Sequence, residues 1–216
     1  MDIKTKKKYR AIEFILLFFG IPLLMYFGSF MVHPVLILLP VLGALLIYFR
    51  NKKDFSFKSL VRLNVSKNTI RINIGLIFLV GLLLTAFVVI VEPESLFNLP
   101  RKNAKIWLLL CISYPPLSAW PQEIIYRTFL FTRYTSLFRK RRYLILASGI
   151  TFSFAHIVYY SPVSMALTLF AGLYLAYVYE KTKSVLFTTI LHSAYGILVF
   201  TLGLGHYFWL NMEQYL

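Results

Sequence analysis

Four ionisable side chains lie inside apolar stretches of this sequence: Glu123, Arg127, His156 and His192. At the centre of a bilayer such a group costs ~2.5 kcal/mol or more, so each needs a partner or a task. Glu123 and Arg127 stand four apart in Pro121-Gln122-Glu123-Ile124-Ile125-Tyr126-Arg127, share a helix face and can pair. A carboxylate held in a dry cavity that water can enter can take a proton from that water, the first step of hydrolysis. One acid and two histidines also make a conceivable ligand set for zinc or non-haem iron. They lack the His-Glu-x-x-His spacing of common zinc peptidases, so a metal-free site with no cofactor is preferred and zinc is kept as the second choice. The plainest reading is an ion pair that neutralises two costly charges, together with two hydrogen-bonded interior histidines.

The elements that must position these groups follow from composition. Of 216 residues, 59% are apolar and 14% charged, with a mean hydropathy of +0.71. That leaves too little polar surface to coat a water-soluble globule. Apolar runs near the ~20 residues that cross a bilayer recur from end to end. They cover 14–32, 34–49, 75–91, 106–134, 143–160, 163–179 and 184–205. The expected fold is an all-α, polytopic membrane bundle of about seven transmembrane helices, with residues 1–216 forming one integral-membrane domain. The 106–134 run carries Pro115-Pro116 and Trp120-Pro121 and is expected to be one span, broken at Pro115–Pro121. The single cysteine, Cys111, excludes a disulfide framework.

Charge sets the orientation. The net charge of +15 comes from basic clusters between the runs: Lys4 to Arg10, Arg50 to Arg71, Arg133 to Arg142, and Lys181 with Lys183. A cytoplasmic amino terminus places these on the inner side and leaves Arg101, Lys102 and Lys105 outside, as the positive-inside tendency requires. This distribution argues for anionic lipid at the basic loops and against nucleic acid. It also suits the plasma (cytoplasmic) membrane. The tail Tyr207-Phe208-Trp209 reads as an outer-surface anchor.

At ~1.5 Å of rise per residue, Glu123 lies about 15 Å from Arg133, His192 about 12 Å from Ser184 and His156 about 20 Å from Tyr143. The three share a depth to within about 8 Å, so a common site is geometrically open.

These residues resemble the CaaX protease and bacteriocin-processing (Abi) family, which includes the type II CAAX prenyl endopeptidases. The family pattern is Glu-Glu-x-x-x-Arg, then Phe-x-x-x-His, then His-x-x-x-Asn or a similar residue on successive spans. This chain carries Gln122-Glu123-x-x-x-Arg127, Phe152-x-x-x-His156 and His192-x-x-x-Gly196 in that order, within a core of residues 106–200. The resemblance implies an intramembrane endopeptidase acting on a membrane-associated peptide or protein. In that scheme Glu123 is the base, His156 orients or shares the water proton, and His192 stabilises the oxyanion. Arg127 holds the carboxylate and Gln122 acts as a polarising donor. Two positions depart from the pattern: Gln122 replaces the first glutamate, and Gly196 has no side chain to bind an oxyanion. The competing readings are an inactive family member that binds a membrane partner and a small proton-coupled transporter.

Overall fold

The computed structural model describes residues 2–28 and 34–209, and among these every regular element is helical. Helix α1 (Ile3–Ile15) runs through a π-helical turn, Leu16–Gly20, into α2 (Ile21–Phe27). The turn expected between the first two spans, at residue 33, falls within 29–33, which lie outside the described residues. Next come α3 (Pro34–Arg50) and α4 (Lys67–Val91), the latter starting well before its apolar run because Ser66 caps it, its Oγ accepting from the Thr69 N–H at 3.2 Å.

After the short α5 (Asn98–Lys102), the third basic cluster is reached through a single helical rod. It consists of α6 (Ala104–Tyr114), a π-helical turn Pro115–Ala119, α7 (Trp120–Glu123), a second π-helical turn Ile124–Phe129, and α8 (Leu130–Arg133). The interruption expected at Pro115–Pro121 thus takes the form of a widened helix, not of an unwound one, with right-handed helical dihedrals at every junction. Proline lacks the N–H for the ordinary i→i−4 bond and its ring crowds the preceding turn; a π turn relieves both in place.

Helix α9 (Arg141–Phe154) tightens into a 3₁₀ turn, Ala155–Tyr159, before α10 (Pro162–Thr182) and α11 (Val185–Leu202). Each of the last two begins on a serine cap: Ser161 Oγ accepts from the Ser164 N–H at 3.2 Å, and Ser184 Oγ from the Phe187 N–H at 3.1 Å.

Among the described residues, four helices are long and apolar enough to cross a membrane: Lys4–Phe27, Lys67–Val91, Pro162–Thr182 and Val185–Leu202. The remaining expected spans are the shorter α3, the π-interrupted rod and α9 with its 3₁₀ extension. Helix α4 leaves Phe78, Leu82 and Ile90 exposed, which suits a lipid-facing flank. Helix α11 buries Thr188, Leu191, His192 and Ser193. A continuous core joins Phe18 and Phe49 of the amino-terminal helices to Ile124, Phe129 and Phe152 around the site rod.

Helices α9 and α10 meet along glycines. A Cβ at Gly149 would stand 2.9 Å from the Leu173 backbone nitrogen, and one at Gly172 would stand 3.1 Å from the Gly149 carbonyl oxygen and 2.9 Å from the Phe152 ring. Close backbone approach of this kind is how helices associate where lipid removes the hydrophobic drive. Gly172→Val is therefore expected to cost about 1–3 kcal/mol, as overpacking does. Gly43→Ala, with nothing within 4 Å of the added carbon, should leave stability unchanged or raise it slightly. Unfolding of the two variants side by side in mixed micelles checks the contrast.

Candidate active site

The site is assembled from the rod and the last three long helices. Glu123 ends α7, and the following π turn carries Arg127; both are fully buried. The two carboxylate oxygens are divided between two partners. Oε1 lies 3.0 Å from His192 Nδ1, and Oε2 lies 3.1 Å from Arg127 Nε, the latter as a coulombic contact without hydrogen-bond alignment. The guanidinium is held from its far side, where Nη1 donates to Ser148 Oγ at 2.6 Å and Ser148 Oγ donates on to the Tyr126 carbonyl at 2.8 Å. Its carbon also sits 5.2 Å from the centre of the Phe152 ring, which adds a cation–π contact.

The network assigns the histidine tautomers. A carboxylate can only accept, so His192 donates through Nδ1–H, and as a neutral imidazole it keeps its lone pair on Nε2. That Nε2 receives the Tyr114 hydroxyl at 3.1 Å. His156 donates through Nδ1–H to the Phe152 carbonyl at 2.8 Å, which likewise leaves its Nε2 as an acceptor. The Phe152 ring packs on both imidazoles, with centroids 4.9 Å from His156 and 5.3 Å from His192.

Two cavities, of about 320 and 340 Å³, adjoin these groups. The first is walled by Tyr114, Gln122, His156, His192 and Phe208 among other residues. The second lies between the amino-terminal helices and the rod, and it shares Ser118, Gln122, His156 and Tyr159 with the first. Both linings are mainly apolar with a few convergent polar groups, the usual make-up of a small-ligand site. Glu123 belongs to neither wall. Its carboxylate faces the cavity only through His192.

The structure thus joins Glu123, Arg127 and His192 directly. It puts His156 and Gln122 on the same cavity wall as His192, without a bond to the carboxylate. Gln122 Nε2 donates to Ser118 Oγ at 2.9 Å, one turn back along the rod. Among the described residues no three His, Cys, Asp or Glu side chains converge in a way that would hold a metal ion.

Sequence reasoning did not single out Tyr114 or Ser148. Tyr114 is one of 15 tyrosines, and a neutral phenol in an apolar span raises no electrostatic alarm. The available signal was indirect: a glycine one turn after His192 leaves room that a neighbour must fill. Phe208 also departs from its expected place as a surface anchor. Gly203 adopts φ +105°, which only glycine takes without strain, and reverses the chain so that Phe208 packs near His156 with centroids 6.0 Å apart. Tyr207 donates to Glu92 Oε1 at 3.0 Å.

The described residues form an all-helical bundle that buries a carboxylate–imidazole pair beside a mainly apolar cavity with a few convergent polar groups. Residues 104–198 match the family described as type II CAAX prenyl endopeptidase Rce1-like. The matched residues include Tyr114, Glu123, Arg127, His156 and His192, and Phe208 of the cavity wall lies beyond them. Comparison with curated proteins and with solved structures gives no match.

Proposed function

We propose that this protein is an intramembrane endopeptidase that hydrolyses a peptide bond of a membrane-associated substrate with water activated by His192 and Glu123. The observation that carries this reading is the 3.0 Å contact between Glu123 Oε1 and His192 Nδ1, with the opposite ring nitrogen on the cavity wall. In this scheme His192 Nε2 takes the proton from water, and Glu123 stabilises the imidazolium that results, as a buried carboxylate does in carboxylate–histidine pairs generally. The base role expected of Glu123 therefore passes to His192, because a carboxylate enclosed by Arg127 and His192 has no open edge for water. The loss of a glutamate at position 122 is then tolerable, since the proton acceptor is an imidazole.

Arg127 fixes Glu123 in place, and Ser148 and Phe152 fix Arg127. His156 offers Nε2 to the water or to the leaving group, and the Gln122 amide orients the substrate backbone. No step requires a metal. The two cavities sharing one polar wall fit a substrate with an apolar portion on one side and a peptide on the other.

The chain is read as one domain over residues 1–216 with its peptidase core at 106–200. It would lie in the plasma membrane with a cytoplasmic amino terminus, and its basic loops would rest on anionic lipid.

The test is cleavage by the purified full-length protein in lipid nanodiscs. The reporters are a peptide ending in a farnesylated Cys-a-a-X sequence and the same peptide without the lipid. Cleavage of either by the wild type, lost in Glu123→Gln, supports the peptidase reading. Rescue of a deletion phenotype by Glu123→Gln would instead identify a binding protein without catalysis.

A further inference from the structure

We propose that Tyr114 is a catalytic residue whose hydroxyl, seated in the notch left by Gly196, donates a hydrogen bond to the tetrahedral oxyanion. This rests on the peptidase reading above and adds to it the group that reading lacks. A Cβ at position 196 would lie 2.4–2.5 Å from Cε1, Cζ and Oη of Tyr114, so the phenol occupies the volume of the missing side chain. From there Oη reaches His192 Nε2 at 3.1 Å, on the wall of the first cavity. The ring is held edge-on against His192 and Phe200, with centroids 5.9 and 6.0 Å away.

The chemistry gives the hydroxyl a timed role. In the empty site Tyr114 donates to the lone pair of His192 Nε2. The attacking water first takes the place of the phenol on His192 Nε2; as it attacks the scissile carbonyl, an O–C bond forms, the carbonyl π pair moves onto oxygen, and the water proton goes to Nε2. The imidazolium has no lone pair left, so it can no longer accept from the phenol. The displaced hydroxyl cannot return to the ring and donates instead to the oxyanion that appears beside it. His192 then returns its proton to the departing nitrogen as the C–N bond breaks, the carbonyl re-forms, and Tyr114 recovers its first partner. The phenol stays protonated throughout and acts by hydrogen bonding alone.

Tyr114→Phe removes one oxygen and keeps the ring that fills the notch, so the fold is preserved. With the farnesylated reporter, kcat should fall about 10²-fold or more with KM within about twofold, the pattern of a contact made only in the transition state. A farnesylated peptide with a phosphinate in place of the scissile amide mimics the tetrahedral anion. Its affinity should drop at least about tenfold in Tyr114→Phe while that of the uncleaved peptide is unchanged. Gly196→Ala, which retains the hydroxyl but pushes the ring aside, should reproduce the kcat loss. Full kcat in Tyr114→Phe beside a silent Glu123→Gln would overturn the role of Tyr114 and leave the peptidase reading intact. Equal weakening of phosphinate and substrate binding would do the same, because a purely structural phenol has no preference for the anion. A wild type that neither cleaves the peptide nor favours the phosphinate removes both.

Discussion

His192→Ala is expected to lower kcat for a cleavable membrane peptide by about 10³-fold, within the range that a positioned proton acceptor contributes. Among the ionisable groups of the site, it is the imidazole that both touches the buried carboxylate and faces the cavity. Without it, water has no acceptor backed by a counter-charge. The fold should survive, since removal of the ring leaves Glu123 still paired with Arg127. His156→Ala should cost less, about 10²-fold, because its Nδ1 is spent on the Phe152 carbonyl and no carboxylate supports it. Single-turnover cleavage in nanodiscs separates the two variants. Equal losses would point to the two rings sharing the base role, and unaltered turnover in His192→Ala would remove the mechanism.

The second large effect concerns stability. Arg127 and Glu123 are both fully buried, with Arg127 Nη2 lacking a hydrogen-bond partner. Removing one member of such a pair strands the other, at a typical cost of about 3–5 kcal/mol, whereas replacing both by apolar residues of similar size is often neutral. Glu123→Leu should therefore unfold at markedly lower denaturant than wild type in mixed micelles. Glu123→Leu combined with Arg127→Met should recover most of that loss while remaining inactive. A double variant no more stable than the single one would show that the charges are not paired in the folded protein. The same cycle separates the bland role of this pair, neutralising charge, from its role in holding a carboxylate against His192.

Much of this arrangement is legible in the residues because the bilayer penalises polarity so heavily. Apolar runs and basic clusters mark the spans, and the few ionisable groups within them, Glu123, Arg127, His156 and His192, are the ones that gather at the site. Rise per residue gives their depth but not their azimuth. It could not tell that Glu123 turns away from the cavity while His192 turns toward it. The tandem prolines signal disturbance near 115–121, yet hydropathy carries no information on whether a helix unwinds or widens into π turns. Tyr114 escaped notice for a related reason: a neutral hydroxyl is cheap to bury, so its importance lies wholly in whom it touches. The inward turn of Phe208 depends on one backbone angle at Gly203, which an apolar aromatic tail does not advertise.

The fit between Tyr114 and Gly196 binds the fates of two positions that lie far apart along the chain. A side chain at 196 and an aromatic ring at 114 in its present position cannot coexist, so neither can change freely while the other stays in place. Relatives bearing a larger residue in place of the glycine should carry something slimmer than tyrosine one rod away, and a survey of paired substitutions would register the two columns as a compensating couple.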